Sequence, residues 1–213
     1  METMKKEYKN TFLFLKGIRK YIIITVILFI VFAIAGYFVS IQVYNDNTET
    51  IKEHIKMFQD MVEEKGVLND DGNISVWHLF LNNFWATMMS VAFGAIPFLF
   101  LPTISLIVNS VILGGVSAMM KVMQLGGAFE MFISVAPHGI FEIPALLLGI
   151  ALGLKFCREI SALVLSKRSL TDFVSFFSEQ VRAIILIIVP LLAVAAIIES
   201  YITPVLMEMF LKV

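Results

Sequence analysis

Apolar residues fill long uninterrupted stretches of this chain and charged residues are confined to the gaps, so alternation with period two is absent and one-sided helical patterning is rare. A helix needs about 20 apolar residues to cross roughly 30 Å of hydrocarbon. Five stretches qualify, near 21–41, 80–101, 103–124, 138–156 and 182–203. The pattern predicts an all-α, polytopic membrane protein of about five transmembrane helices, with 1–213 as a single membrane domain. Two segments show a single apolar stripe instead. Ile51, Ile55, Phe58 and Val62 recur at helical spacing from about Thr48 to Lys65, with Gly66 as a stop, and predict an amphipathic helix in the loop 42–77. It suits either a lipid surface or a docking face for an envelope partner. Phe173, Phe176, Phe177 and Val181 predict a second, interfacial helix that runs into the last span.

The composition, 59% hydrophobic and 15% charged, lies far from that of soluble domains and supports the bilayer as a partner. A net charge of -1 conceals a segregation of sign that sets the orientation. Lys5, Lys6, Lys9, Lys16, Arg19 and Lys20 crowd the start 1–20, which by the positive-inside rule holds the N-terminus in the cytoplasm. The first span then reads as a signal anchor in the cell membrane. The loop after it is acidic, with Asp46, Glu49, Glu53, Asp60, Glu63, Glu64, Asp70 and Asp71 against three lysines, as suits the outside face. Lys155, Arg158, Lys167, Arg168 and Arg182 place the connection between spans four and five inside, and the C-terminus outside. Asn69 to Asn73 is turn chemistry without the spacing of a calcium loop. Nothing suggests nucleic acid, and Cys157, the single cysteine, excludes an intrachain disulfide.

Ionisable groups inside apolar spans cost several kcal/mol unless they are partnered or hydrated, so they are the candidate functional residues. His138 and Glu142 stand four residues apart on one helical face of span four, Glu199 nears the outer end of span five, and Asn82 and Asn83 open span two. These five fall at one depth, in the outer third. Asn109, in the inner third of span three, lies outside that layer. The set reads as a buried polar network, a proton or ion path, or a metal or catalytic centre. No HExxH motif, Gly-x-Ser-x-Gly elbow or phosphate loop accompanies it, so the chain is expected to be no enzyme and to need no cofactor. His54 and His78 are read as surface or interfacial.

Four prolines shape helix ends in this reading: Pro137 and Pro144 at the entry of span four, Pro97 and Pro102 around an uncharged bend between spans two and three. That bend is expected to be shallow or covered by neighbouring helices. The apolar segment 126–137 suits a half-helix dipping into the outer leaflet. Small residues recur every fourth position, Ser110, Gly114 and Ala118 on span three and Ala145, Gly149 and Gly153 on span four. Such stripes let helices approach closely, within the chain first, with a homodimer as the alternative.

The order of Asn82-Asn83, Gly94 to Pro97, Asn109-Ser110 with Gly114-Gly115, Pro137-His138-Gly139-Ile140-Phe141-Glu142-Ile143-Pro144-Ala145, and Ala195-Ala196 with Glu199 resembles the stage II sporulation protein M family over about 80–204. The resemblance implies a multi-pass membrane protein that anchors two wall hydrolases, sporulation proteins D and P, in peptidoglycan remodelling during engulfment. It supplies no established catalytic or ligand residue. The leading expectation is a scaffold for extracytoplasmic cell-wall hydrolases or other envelope membrane proteins. The alternatives are a proton- or cation-coupled permease or channel component using His138 and Glu142, and an intramembrane metal-dependent enzyme.

Overall fold

A computed structural model describes residues 2–46, 49–50, 52–53, 56, 75–122 and 128–206, with the backbone alone at 128–138. Every element among the described residues is helical. Most of the outer-loop helix expected between Thr48 and Lys65, and the turn Asn69 to Asn73, lie outside them. The helices are α1 (Glu2–Gly17), α2 (Arg19–Asp46), α3 (Val76–Ala92), α4 (Pro102–Val122), α5 (Ala128–Val164), α6 (Leu170–Ala183) and α7 (Val189–Ile197). Among the described residues, four helical stretches are long and apolar enough to cross a membrane: Arg19–Asp46, Pro102–Val122, Gly139–Val164 and Leu170–Leu206.

Lipid solvation explains the form of α2. Its Ile23, Ile27, Ile30, Val31, Ile34 and Phe38 are exposed, while Thr25, Phe29, Gly36 and Tyr44 face the bundle. β-branched residues weaken helices in water, but in hydrocarbon the helix is the one local way to satisfy the backbone. α4 buries Pro102, Leu106, Ser110, Gly114 and Ala118, a stripe of one residue per turn that extends the sequence-read one toward the N-terminus. Gly114 rests on the α2 backbone from Ala33 to Tyr37, and Gly36 on that of Val111. Phe29 clusters with Leu106, Gly36 meets Val111, Ser40 lies by Gly115 and Tyr44 clusters with Ala118, so both sets of numbers rise together and α2 and α4 run parallel. By the same argument α3 and α5 are parallel, because Thr87 meets Gly149 and Ser90 meets Gly153. The C-terminal stretch runs against α5: Phe156 stacks near Phe173, Phe176 and Phe177, while Glu142 sits within electrostatic reach of Glu199.

Two features of α5 differ from expectation. It is one helix of 37 residues, so 128–137 forms its N-terminal part and is not a separate half-helix, while 126 and 127 lie outside the described residues. Pro137 and Pro144 accordingly lie within the helix and do not form its entry. A proline removes one backbone N–H, a loss that a helix in a bundle tolerates when neighbours supply the missing bonds. Prolines do mark irregularity elsewhere. The C-terminal stretch contains π-helical turns at Ile184–Ile188 and Ile198–Ile202, each ending two residues before a proline, Pro190 and Pro204. Widening the helix there relieves the clash between each ring and the preceding turn.

The bend between α3 and α4 is held by α5. Phe93–Ala95 tightens into a 3-10 turn, and Phe98 and Phe100 take positive φ angles of 68° and 46°. The Phe98 N–H donates to Ser161 Oγ at 2.9 Å, the Cys157 thiol donates to the Ile96 carbonyl at 3.3 Å, and Ser161 in turn donates to the Cys157 carbonyl at 2.7 Å. The expected cover is thus found on the backbone side only, since the Phe98, Leu99 and Phe100 side chains are exposed. Ser161→Ala leaves the Phe98 N–H without its acceptor and is expected to cost about 1–3 kcal/mol, read as a lower unfolding midpoint in detergent. An unchanged midpoint would show that the bond contributes nothing.

Candidate functional site

Glu142 and Glu199 are two ionisable residues that the fold brings near each other inside apolar helices. Glu142 is half-buried on α5, and Glu199 is half-buried in the π turn Ile198–Ile202, whose helix packs against α5. The packing of that turn on α5 brings the two carboxyl groups near each other. Asn82 and Asn83 are half-buried on α3. Carrying the Thr87–Gly149 register back along both helices puts them level with Pro144 and Ala145, within a turn of Glu142. Three helices therefore contribute polar groups at one level. The His138 side chain lies outside the described residues, although its backbone belongs to α5. Ser200, beside Glu199, has a buried hydroxyl oxygen with no hydrogen-bond partner. No three His, Cys, Asp or Glu side chains converge on a metal-sized site among the described residues.

Asn109 belongs to a separate network. Its amide donates to the Ser105 carbonyl at 2.8 Å, and the Ser105 hydroxyl shares a hydrogen bond of 2.5 Å with that of Ser90. Ser90 also bonds back to the Ala86 carbonyl at 3.0 Å. This chain ties α3 to α4 just before the bend, so Asn109 is used in helix packing at a different depth from Glu142.

A third polar group brings Glu159 together with Lys155 and Arg168, two of the cations that set the orientation. Glu159 is 3% exposed near the end of α5 and forms ion pairs with Lys155 and with Arg168. Lys155 lies over the Tyr21 and Phe176 rings at 5.7 and 5.9 Å, and Arg168 over Phe176 at 5.9 Å. A carboxylate and two cations packed against rings at one bundle end form a rigid electrostatic node. The signal was present as a Lys-x-x-x-Glu pair within the apolar run, one helical turn apart.

The small-residue positions all meet neighbouring helices of the same chain. Ala145 is fully buried, Gly149 packs on Thr87, and Gly153 is enclosed by the Ser90 carbonyl, Val91 and Pro102. Of the remaining prolines, Pro102 is buried at the start of α4 and Pro97 half-buried in the bend.

Among known proteins, the stage II sporulation protein M family matches residues 25–204. No curated protein and no solved structure matches the chain.

Proposed function

The chain belongs to the stage II sporulation protein M family, and from that premise we propose that it is a multi-pass protein of the cell membrane that anchors an extracytoplasmic envelope-remodelling complex, with no turnover of its own. The observation that carries this reading is the family match across 25–204, which takes in the whole bundle. The internal polar groups support it. Ser90, Ser105 and Asn109 join two helices, and Asn82, Asn83, Glu142 and Glu199 place polar groups of three helices at about one level.

The proposed topology has five spans. α3 alone has 17 residues, and with the turn Phe93–Ala95 it reaches about 30 Å, the thickness of the hydrocarbon. Directions then alternate as a serpentine chain requires, with α2, α4 and the C-terminal stretch running one way and α3 and α5 the other. The cytoplasmic face holds α1 and α6 as interfacial helices, clasped by a Glu7–Arg182 ion pair at 2.8 Å and by the Phe14 and Phe176 rings. The outer face carries the acidic loop 42–77, the proposed docking region.

The test is a mild-detergent pull-down of the native protein from its own membranes beside a Glu142→Ala form. Wild type is expected to recover wall-active proteins, and Glu142→Ala to recover about tenfold less with a lower unfolding midpoint, as loss of a half-buried polar group at the level shared by three helices predicts. Recovery of the wild type alone would refute the anchor.

One observation favours a second reading. Paired carboxyl groups inside spans suit proton or cation handling, and Glu199 lies in a π turn, a helical irregularity common at functional sites. Flux through proteoliposomes that Glu142→Gln abolishes with the fold intact would establish it over the anchor.

A further inference from the structure

A cavity of about 480 Å³ opens between the α3–α4 bend and the segment from Lys155 to Arg168. Its chemistry is divided. Phe98, Phe100 and Leu165 line its apolar part and are each about half exposed. Lys155, Arg158, Lys167 and Arg168 supply four cations to the same cavity, against Glu159 as its carboxylate. Glu159 is already matched by Lys155 and Arg168, so Arg158 and Lys167 leave a surplus of positive charge at the mouth. Arg168 has a further unmet requirement. Its terminal nitrogens reach Glu159 and the Asp172 carbonyl, while its buried Nε has no acceptor.

We propose that this cavity binds the phosphate-bearing headgroup of an anionic phospholipid, whose acyl chains leave over Phe98, Phe100 and Leu165. Phosphate oxygens accept several charge-assisted hydrogen bonds at once, and basic pockets between membrane helices are sites where such headgroups are held. The volume accommodates a phosphate diester with its glycerol. The apolar part distinguishes a lipid from a free anion, because a soluble phosphate gains nothing from exposed phenylalanines beside its site. The site does not depend on the anchoring role proposed above, nor on which leaflet it faces.

The experiment uses the full chain in mild detergent, with thermal unfolding followed as phosphatidylglycerol, phosphatidylcholine or inorganic phosphate is added. Phosphatidylglycerol is expected to raise the midpoint by several degrees and the other two to leave it unchanged. Arg158→Gln with Lys167→Gln should keep the lipid-free midpoint, since neither side chain holds the fold together, and weaken the lipid response about thirtyfold, from about 1 kcal/mol for each cation removed. Lys5→Gln with Lys6→Gln, on the exposed side of α1, should respond as wild type. Native mass spectrometry of the same preparations then counts retained phosphatidylglycerol, and the Arg158/Lys167 variant should retain less. An equal response to phosphatidylcholine, a full response to inorganic phosphate, or undiminished lipid retention in that variant would overturn the proposal.

Discussion

Replacing Gly153 with leucine is expected to destabilise the protein by about 3 kcal/mol or more, near the upper end of overpacking effects. The cause lies in which atoms it would meet. A Cβ at Gly153 would overlap the Ser90 carbonyl oxygen and press on the Pro102 ring and the Val91 Cα. Two of these three are backbone and belong to α3, so no rotamer change relieves the conflict and α3 must move away from α5. That displacement propagates, because Gly94 packs against the Gly153 backbone and the Phe98 N–H depends on Ser161 of the same helix. Gly17→Ala is the natural control, since nothing lies within 4 Å of the position its Cβ would take. Unfolding midpoints in detergent should fall sharply for Gly153→Leu and stay level for Gly17→Ala. Equal midpoints would show that the α3–α5 seam is not tight in the folded protein.

That seam was legible in the sequence. Ala145, Gly149 and Gly153 stand one turn apart in an apolar run, and in lipid close approach is a main source of helix association. The long apolar stretches were legible for a related reason: a solvent without hydrogen bonds leaves the backbone almost no choice but helix. Helix ends were harder. Pro137 and Pro144 looked like entry signals because in water a proline ends a helix, yet α5 runs through both from Ala128. Conversely, Pro190 and Pro204 announced the π turns before them, a signal open to reading but overshadowed by the unbroken apolar pattern. Depth sorted the candidate residues only in part. It grouped Glu142 with Glu199, which lie on helices that pack together, and set Asn109 apart, but it could not show that Asn109 is engaged with Ser105. Side chains that reach across helices depend on rotation about each axis, which uniform apolar sequence does not encode.

Rotation is also what hid Glu159, where the second large effect is expected. Glu159→Leu should cost about 3–5 kcal/mol, the usual penalty when one partner of a buried ion pair is removed. The mutation takes away the carboxylate and leaves Lys155, 16% exposed, over two aromatic rings with no anion beside it. Arg168 suffers less because it is 29% exposed and keeps its bond to the Asp172 carbonyl. The pair itself need not be stabilising relative to a well-packed apolar substitute, since desolvation of both ions offsets much of their attraction. The double substitution Lys155→Met with Glu159→Leu is therefore expected to recover most of the loss, and the comparison separates an orphaned charge from a lost attraction. If the single and double variants unfold at the same denaturant concentration, the penalty lies elsewhere, in the packing of α5 against Phe176 and Tyr21. A recovered double variant would in addition lack Lys155 in the basic cavity while retaining Arg158 and Lys167. Its response to phosphatidylglycerol would then measure how much of the proposed lipid site depends on the cations at its mouth.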